Sequence, residues 1–240
     1  MISGPKAITT DIAGGSSNYR MFLNQFGSKM GSSPSHKQAH WESIYRKQRP
    51  DSVSWYQPSL CVSLELIRRT GLAKGAALAD VGGGASTLVD DLLTLQYSNI
   101  TVLDISTQAL DYSKARLGPL ATSVKWVVGD ITAADTSQLS FDLWHDRAVF
   151  HFLVEEQDRK KYCNVLDASL RPGGFIIIAT FGPNGPMKCS GLDIVRYDPD
   201  SLLLALGASF KLISSQIELH RTPVDKTQEF LYCLLQKVKT

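Results

Sequence analysis

Three short stretches of the chain could do chemistry, and each follows an apolar run. The first is Asp80-Val-Gly-Gly-Gly-Ala-Ser86. Consecutive glycines let a backbone turn sharply and approach a ligand closely, and their entropic cost needs a reason. The second is Asp104, roughly 20 residues on, where an acid can accept hydrogen bonds from both ribose hydroxyls. The third is Gly129-Asp130-Ile131. A carboxylate there can meet an adenine amino group, and the isoleucine can pack on the ring. Together these describe a nucleoside site. Asp80 narrows the ligand, because a carboxylate just ahead of the glycines would repel a pyrophosphate. A ligand carrying an ammonium would use it.

A second group of residues could face a bound ligand. In His145-Asp-Arg-Ala-Val-Phe-His-Phe152, Asp146 and His151 are the residues able to serve as a base. Arg147 could hold an anionic group. His151 reads equally as a structural, hydrogen-bonded histidine. Trp55, Tyr56 and Gln57 form an aromatic turn, and aromatic faces suit a cationic ligand group. Trp41 stands in an aromatic N-terminal segment that could close over a ligand, although Trp41 and Trp55 read equally as packing. Cys189 lies in a Gly/Pro-rich loop and reads more simply as an inert thiol. Arg196-Tyr197 and His220-Arg221 complete the set, the last pair equally a solvated hairpin tip.

These residues need a scaffold, and periodicity supplies one. A helix is expected near His40–Tyr45, with Trp41, Ile44 and Tyr45 on one face. A second helix is expected over 59–69, ending at Gly71. Strands are expected at 76–81, 100–103, 124–128 and 141–144. Helices between them run over 87–96 and from the Ser106 cap to Leu117. A helix over 155–170 stops at the turn signal Arg171-Pro-Gly-Gly174. The apolar run Phe175–Thr180 belongs in the middle of a parallel sheet covered on both faces. Asp198-Pro199 opens a helix ending at Gly207. Strands over 210–219 and 228–236, joined without a helix, imply an antiparallel pair. The expected fold is α/β: a doubly wound, mostly parallel seven-stranded sheet with a C-terminal antiparallel hairpin.

Composition narrows the partners. The 240 residues suit one domain, and a net charge of +2 with 20% charged residues gives no reason to expect nucleic acid or a membrane. The four cysteines carry no metal or disulfide spacing, so no metal is expected. No run approaches the roughly 20 apolar residues of a membrane span. Residues 1–38 read as a flexible basic arm and 39–240 as the domain. A cytoplasmic location is expected, with organelle targeting by the arm as the alternative.

The motifs, taken in order, resemble those of class I SAM-dependent methyltransferases. Asp80–Ser86 resembles the family's first motif, with Ser86 where a third glycine often stands. Asp104 resembles its ribose acid and Gly129-Asp130 its adenine motif. Leu170-Arg-Pro-Gly-Gly174 resembles its late Pro-Gly-Gly motif. The resemblance covers about residues 40 to 238. It implies S-adenosyl-L-methionine (SAM) as cofactor, held by Asp80, Gly82, Gly83, Gly84, Ser86, Asp104, Ile105, Gly129, Asp130, Ile131, Asp146 and Trp41. It implies an acceptor near Trp55, Tyr56, Arg147, His151, Cys189 and Arg196, with His151 and Asp146 as the catalytic candidates. A small-molecule acceptor is the first expectation, because no large insertion caps a pocket. A protein side chain such as lysine is the second, and a non-catalytic SAM-binding module the third. A nicotinamide oxidoreductase is disfavoured by Asp80 and by the absence of a Tyr-x-x-x-Lys pair. The chain would act as a monomer or homodimer.

Overall fold

The computed structural model describes residues 35–135 and 139–238. Helix α1 (His36–Lys47) leads into α2 (Cys61–Arg69). The alternating core follows: β1 (Ala77–Val81), α3 (Leu88–Thr94), β2 (Asn99–Asp104), α4 (Thr107–Leu117), β3 (Val124–Val128), β4 (Phe141–Arg147), α5 (Glu156–Ser169) and β5 (Leu170–Phe181). The chain closes with short strands β6 (Lys188–Cys189) and β7 (Leu192–Asp193), helix α6 (Pro199–Leu206), and the long pair β8 (Phe210–Arg221) and β9 (Thr227–Lys237).

The seven-stranded sheet has the order β3-β2-β1-β4-β5-β9-β8. The first five strands run parallel, and β9 lies antiparallel between β5 and β8. Successive side chains of a strand point to opposite faces, and β5 shows how this fills two cores. Ile176 and Ile178 pack with Tyr162 and Leu166 of α5 and Leu202 of α6. Ile177 packs on the other face with Leu64 and Ile67 of α2 and Leu88 of α3. Strand order reverses beside β1, whose neighbours are β2 and β4. In such sheets the crevice beyond the strands' carboxyl ends at that point is the natural ligand site.

Several expected boundaries move, each for a local reason. Helix α1 starts earlier than His40, because the Ser35 side chain caps it by accepting from the Gln38 backbone N–H. Residues 35–38 are therefore its cap and first turn, not part of an arm; residues 1–34 lie outside the described residues. Strand β4 continues through His145, Asp146 and Arg147, since parallel neighbours bind it on both sides: Asp80 pairs with His145 and Ala179 with Arg147. Backbone pairing overrides the polar character of those three residues. The Arg171-Pro-Gly-Gly174 signal does not separate helix from strand. It lies inside β5, where Leu170 pairs with Phe141 and the β4–β5 register then shifts. Gly173, at φ +78°, takes the left-handed conformation this irregularity needs. The loop over 181–195 contains the small antiparallel β6–β7 pair, which no periodicity announces. Among the described residues no helix is long and apolar enough to cross a membrane.

One polar clasp joins α5 to β4. The Trp144 indole N–H donates to the Tyr162 hydroxyl at 2.8 Å, and that hydroxyl donates to Asp146 Oδ2 at 2.6 Å. All three side chains are buried, so each missing partner would leave a polar group without water. Tyr162→Phe should lower the unfolding free energy by about 1–3 kcal/mol, measured by urea denaturation. An unchanged midpoint would show that the clasp contributes nothing.

Candidate cofactor and acceptor site

Beyond β1, β2 and β4 lies a cavity of about 380 Å³, within the usual range for small-molecule sites. Its polar side begins at the glycine loop. Gly82 sits at φ +70°, and a Cβ there would fall 2.0 Å from Val149 Cγ2. A Cβ on Gly83 would fall 2.3 Å from Asp80 Oδ2. Both glycines are thus required by close approach, not merely by a turn. The Gly84 N–H donates to Asp104 Oδ2 at 3.0 Å.

Asp80 has two unlike oxygens. Oδ1 lies 2.7 Å from His145 Nδ1, while Oδ2 is buried with no hydrogen-bond partner. An unpaired buried carboxylate oxygen is costly, and a cationic ligand group would relieve it. Asp104 accepts from Gly84 and, through Oδ1, from the Ser106 N–H at 2.8 Å. Burial nevertheless pushes its pKa up to about 6. Asp130 Oδ1 accepts from the Thr132 N–H and hydroxyl at 2.9 and 2.7 Å, so it shapes its own turn while lining the cavity beside Ile105, Gly129 and Ile131. Ser86 also lines the cavity, and its hydroxyl accepts from the Leu88 N–H at the start of α3.

Aromatic residues form the other side. Trp41 of α1 meets Trp55 and Phe152 edge-on, at centroid distances of 5.9 and 5.1 Å. Tyr45 and Tyr56 also line this side. Helix α1 is tied down at both flanks. Glu42 accepts from the Thr107 and Gln108 N–H groups at 2.7 and 3.4 Å, where the start of α4 favours a carboxylate. Lys37 pairs with Asp158 of α5 at 2.5 Å. The aromatic turn is bolted to the sheet. Arg147 Nη1 donates to the Trp55 carbonyl at 2.8 Å, and His220 Nε2 donates to the Ser54 carbonyl at 2.7 Å. Gln57 Nε2 donates to Glu218 and to His220 Nδ1 at 2.8 and 3.0 Å. Arg147 also stacks over Phe230 at 4.3 Å and keeps Nη2 buried without a hydrogen-bond partner.

Some expected residues are not brought to the cavity. Asp146 is fully buried. Its Oδ1 holds the Val149 and Phe150 N–H groups and its Oδ2 holds Tyr162. That carboxylate organises the turn after β4. His151 is also fully buried, accepts the Phe181 N–H at Nδ1, and does not line the cavity. Burial pushes its pKa down to about 3. Arg196 is exposed and donates to the Gly185 carbonyl, outside the cavity. Cys189 does line it, but burial raises its thiol pKa to about 11, leaving little thiolate for chemistry. His220 is a buried brace for the 53–57 turn rather than part of a solvated tip. His145, Glu42 and Lys37 were not singled out by motif. Only strand register puts His145 beside Asp80, and only packing puts Lys37 at the cavity and Glu42 on the start of α4.

A family model described as a methyltransferase domain matches residues 78–174. A malonyl-[acyl-carrier protein] O-methyltransferase of Ilyobacter polytropus is 24% identical over 68% of this chain and 62% of its own length. The EEF1A lysine methyltransferase 2 of Danio rerio is 23% identical over 59% of this chain and 66% of its own length. Each match spans less than two thirds of the relative. Among solved structures, the Burkholderia thailandensis 1,6-didemethyltoxoflavin-N1-methyltransferase with bound S-adenosylhomocysteine superposes with a TM-score of 0.62 at 18% identity, covering 87% of this chain and 92% of that one. The fold is that of class I SAM-dependent methyltransferases, and residues 78–174 match a methyltransferase domain.

The helix-terminus contact of Glu42 is worth about 0.3–1 kcal/mol. Glu42→Gln should therefore speed amide exchange across α1 about 2–5-fold while the melting temperature stays nearly constant. Exchange confined to wild-type rates would show that α1 is held by its aromatic face alone.

Proposed function

We propose that the protein transfers a methyl group from SAM to a small-molecule acceptor. The carrying observation is the cavity itself: a nucleoside-sized polar side with an unpaired buried carboxylate oxygen, continuous with an aromatic side closed by α1. Residues from Ser35 onward are taken as the catalytic unit. On this reading Asp104 accepts the ribose hydroxyls, Asp130 and Ile131 hold the adenine, and Asp80 Oδ2 takes the ammonium. Gly82, Gly83 and Gly84 allow the close approach. Bound SAM would supply an already activated methyl group on a sulfonium.

The protein's task is then to position the acceptor in line and to exclude water. Trp41, Trp55 and Phe152 do this with apolar faces that also favour a positively charged centre. Arg147 lines the cavity with a positive charge whose Nη2 faces Glu218 Oε2 at 3.9 Å. With Asp146 and His151 turned away, no base is assigned. The reading favours an acceptor that is already nucleophilic and releases its proton to solvent. The four cysteines are free, which accords with a reducing compartment such as the cytoplasm. The lysine methyltransferase relative keeps a protein acceptor as the second reading, and an acceptor screen should include both classes.

Calorimetry should show micromolar binding of S-adenosylhomocysteine, weakened at least about 10-fold in Asp104→Ala. Ribose hydroxyls donate to the ionised carboxylate, so affinity should fall as pH drops through about 6, and Asp104→Asn should lose that dependence. Binding of NADH instead, or of neither ligand, would sink the cofactor assignment.

A further inference from the structure

Asp80 is not held by His145 alone. His145 Nε2 lies 2.9 Å from Ser63 Oγ on α2, so the ring is held at both nitrogens. Asp80, His145 and Ser63 are all at most 3% exposed. A carboxylate only accepts, so His145 Nδ1 carries the proton that it gives to Asp80 Oδ1. The outcome is a carboxylate pinned through Oδ1, with Oδ2 turned to the glycine loop and left unpaired.

We propose that His145, itself held by Ser63, is a positioning residue that aims Asp80 Oδ2 at the ammonium of the cofactor. This rests on the SAM reading given above.

Two ligands separate positioning from simple stability. S-adenosylhomocysteine carries the ammonium; 5′-methylthioadenosine keeps the nucleoside and lacks it. His145→Leu should weaken S-adenosylhomocysteine about 10-fold or more and change 5′-methylthioadenosine less than about twofold. His145→Asn, whose amide can donate to Asp80 in place of Nδ1, should restore most of the lost affinity. Equal weakening of both ligands, or of neither, would overturn the proposal. A readout that needs no variant is the nitrogen-15 spectrum of histidine-labelled wild-type protein. His145 is expected to carry its proton on Nδ1, and a proton on Nε2 alone would refute the proposal even if His145→Leu failed to fold. Wild-type protein that binds neither ligand would instead refute the cofactor reading, and the spectrum would still judge whether His145 donates to Asp80.

Discussion

The parallel pairing of β1 with β4 sets Asp80 directly beside His145, and much of the site follows from that register. A carboxylate this deeply buried is expensive unless hydrogen-bonded. His145 satisfies one oxygen, and the glycine loop comes too close to the other for any side chain to intervene. A shift of β4 by one residue would turn His145 to the opposite face and bring Asp146 into its place. The apolar runs on either side of Asp80 and His145 oppose such a shift, because Leu78 and Leu143 belong to one core and Ala79 and Trp144 to the other.

The two carboxylates that follow in the pattern are satisfied differently. Asp104 spends both oxygens on backbone N–H groups of two loops, fixing the glycine turn relative to the start of α4. Asp146 spends both on the turn after β4 and on Tyr162. Both have pKa values raised to about 6 by burial, but only Asp104 lines the cavity. A perturbed carboxylate therefore does not by itself mark a catalytic group here; what it faces decides.

The aromatic side is assembled from distant parts of the chain. Trp41 from α1, Trp55 from the following turn and Phe152 from the segment after β4 meet edge to face. Their positions depend on polar fastenings: Glu42 at the start of α4, Lys37 on Asp158, and His220 with Arg147 on the 53–57 turn. The closing hairpin of the sheet thus supports the aromatic side, since β8 and β9 supply His220 and Tyr232.

The sequence by itself determined what local chemistry and periodicity can encode. Glycines at 82–84 after an apolar run, an acid at the end of the next strand, and apolar runs alternating with capped helices sufficed for the α/β sheet, its closing antiparallel pair and the residues on the polar side of the cavity. Strand edges at His145–Arg147 and Leu170–Gly174 were not legible, because pairing with neighbours, not the residues' own preferences, extends β4 and β5. Tertiary structure alone decided which side chains face the cavity. Asp146 and His151 carry the right chemical types, yet packing turns both into the interior. His145 looked incidental until register placed it on Asp80. Side-chain direction in a strand alternates residue by residue and is fixed by long-range pairing, so sequence could nominate these groups but could not aim them.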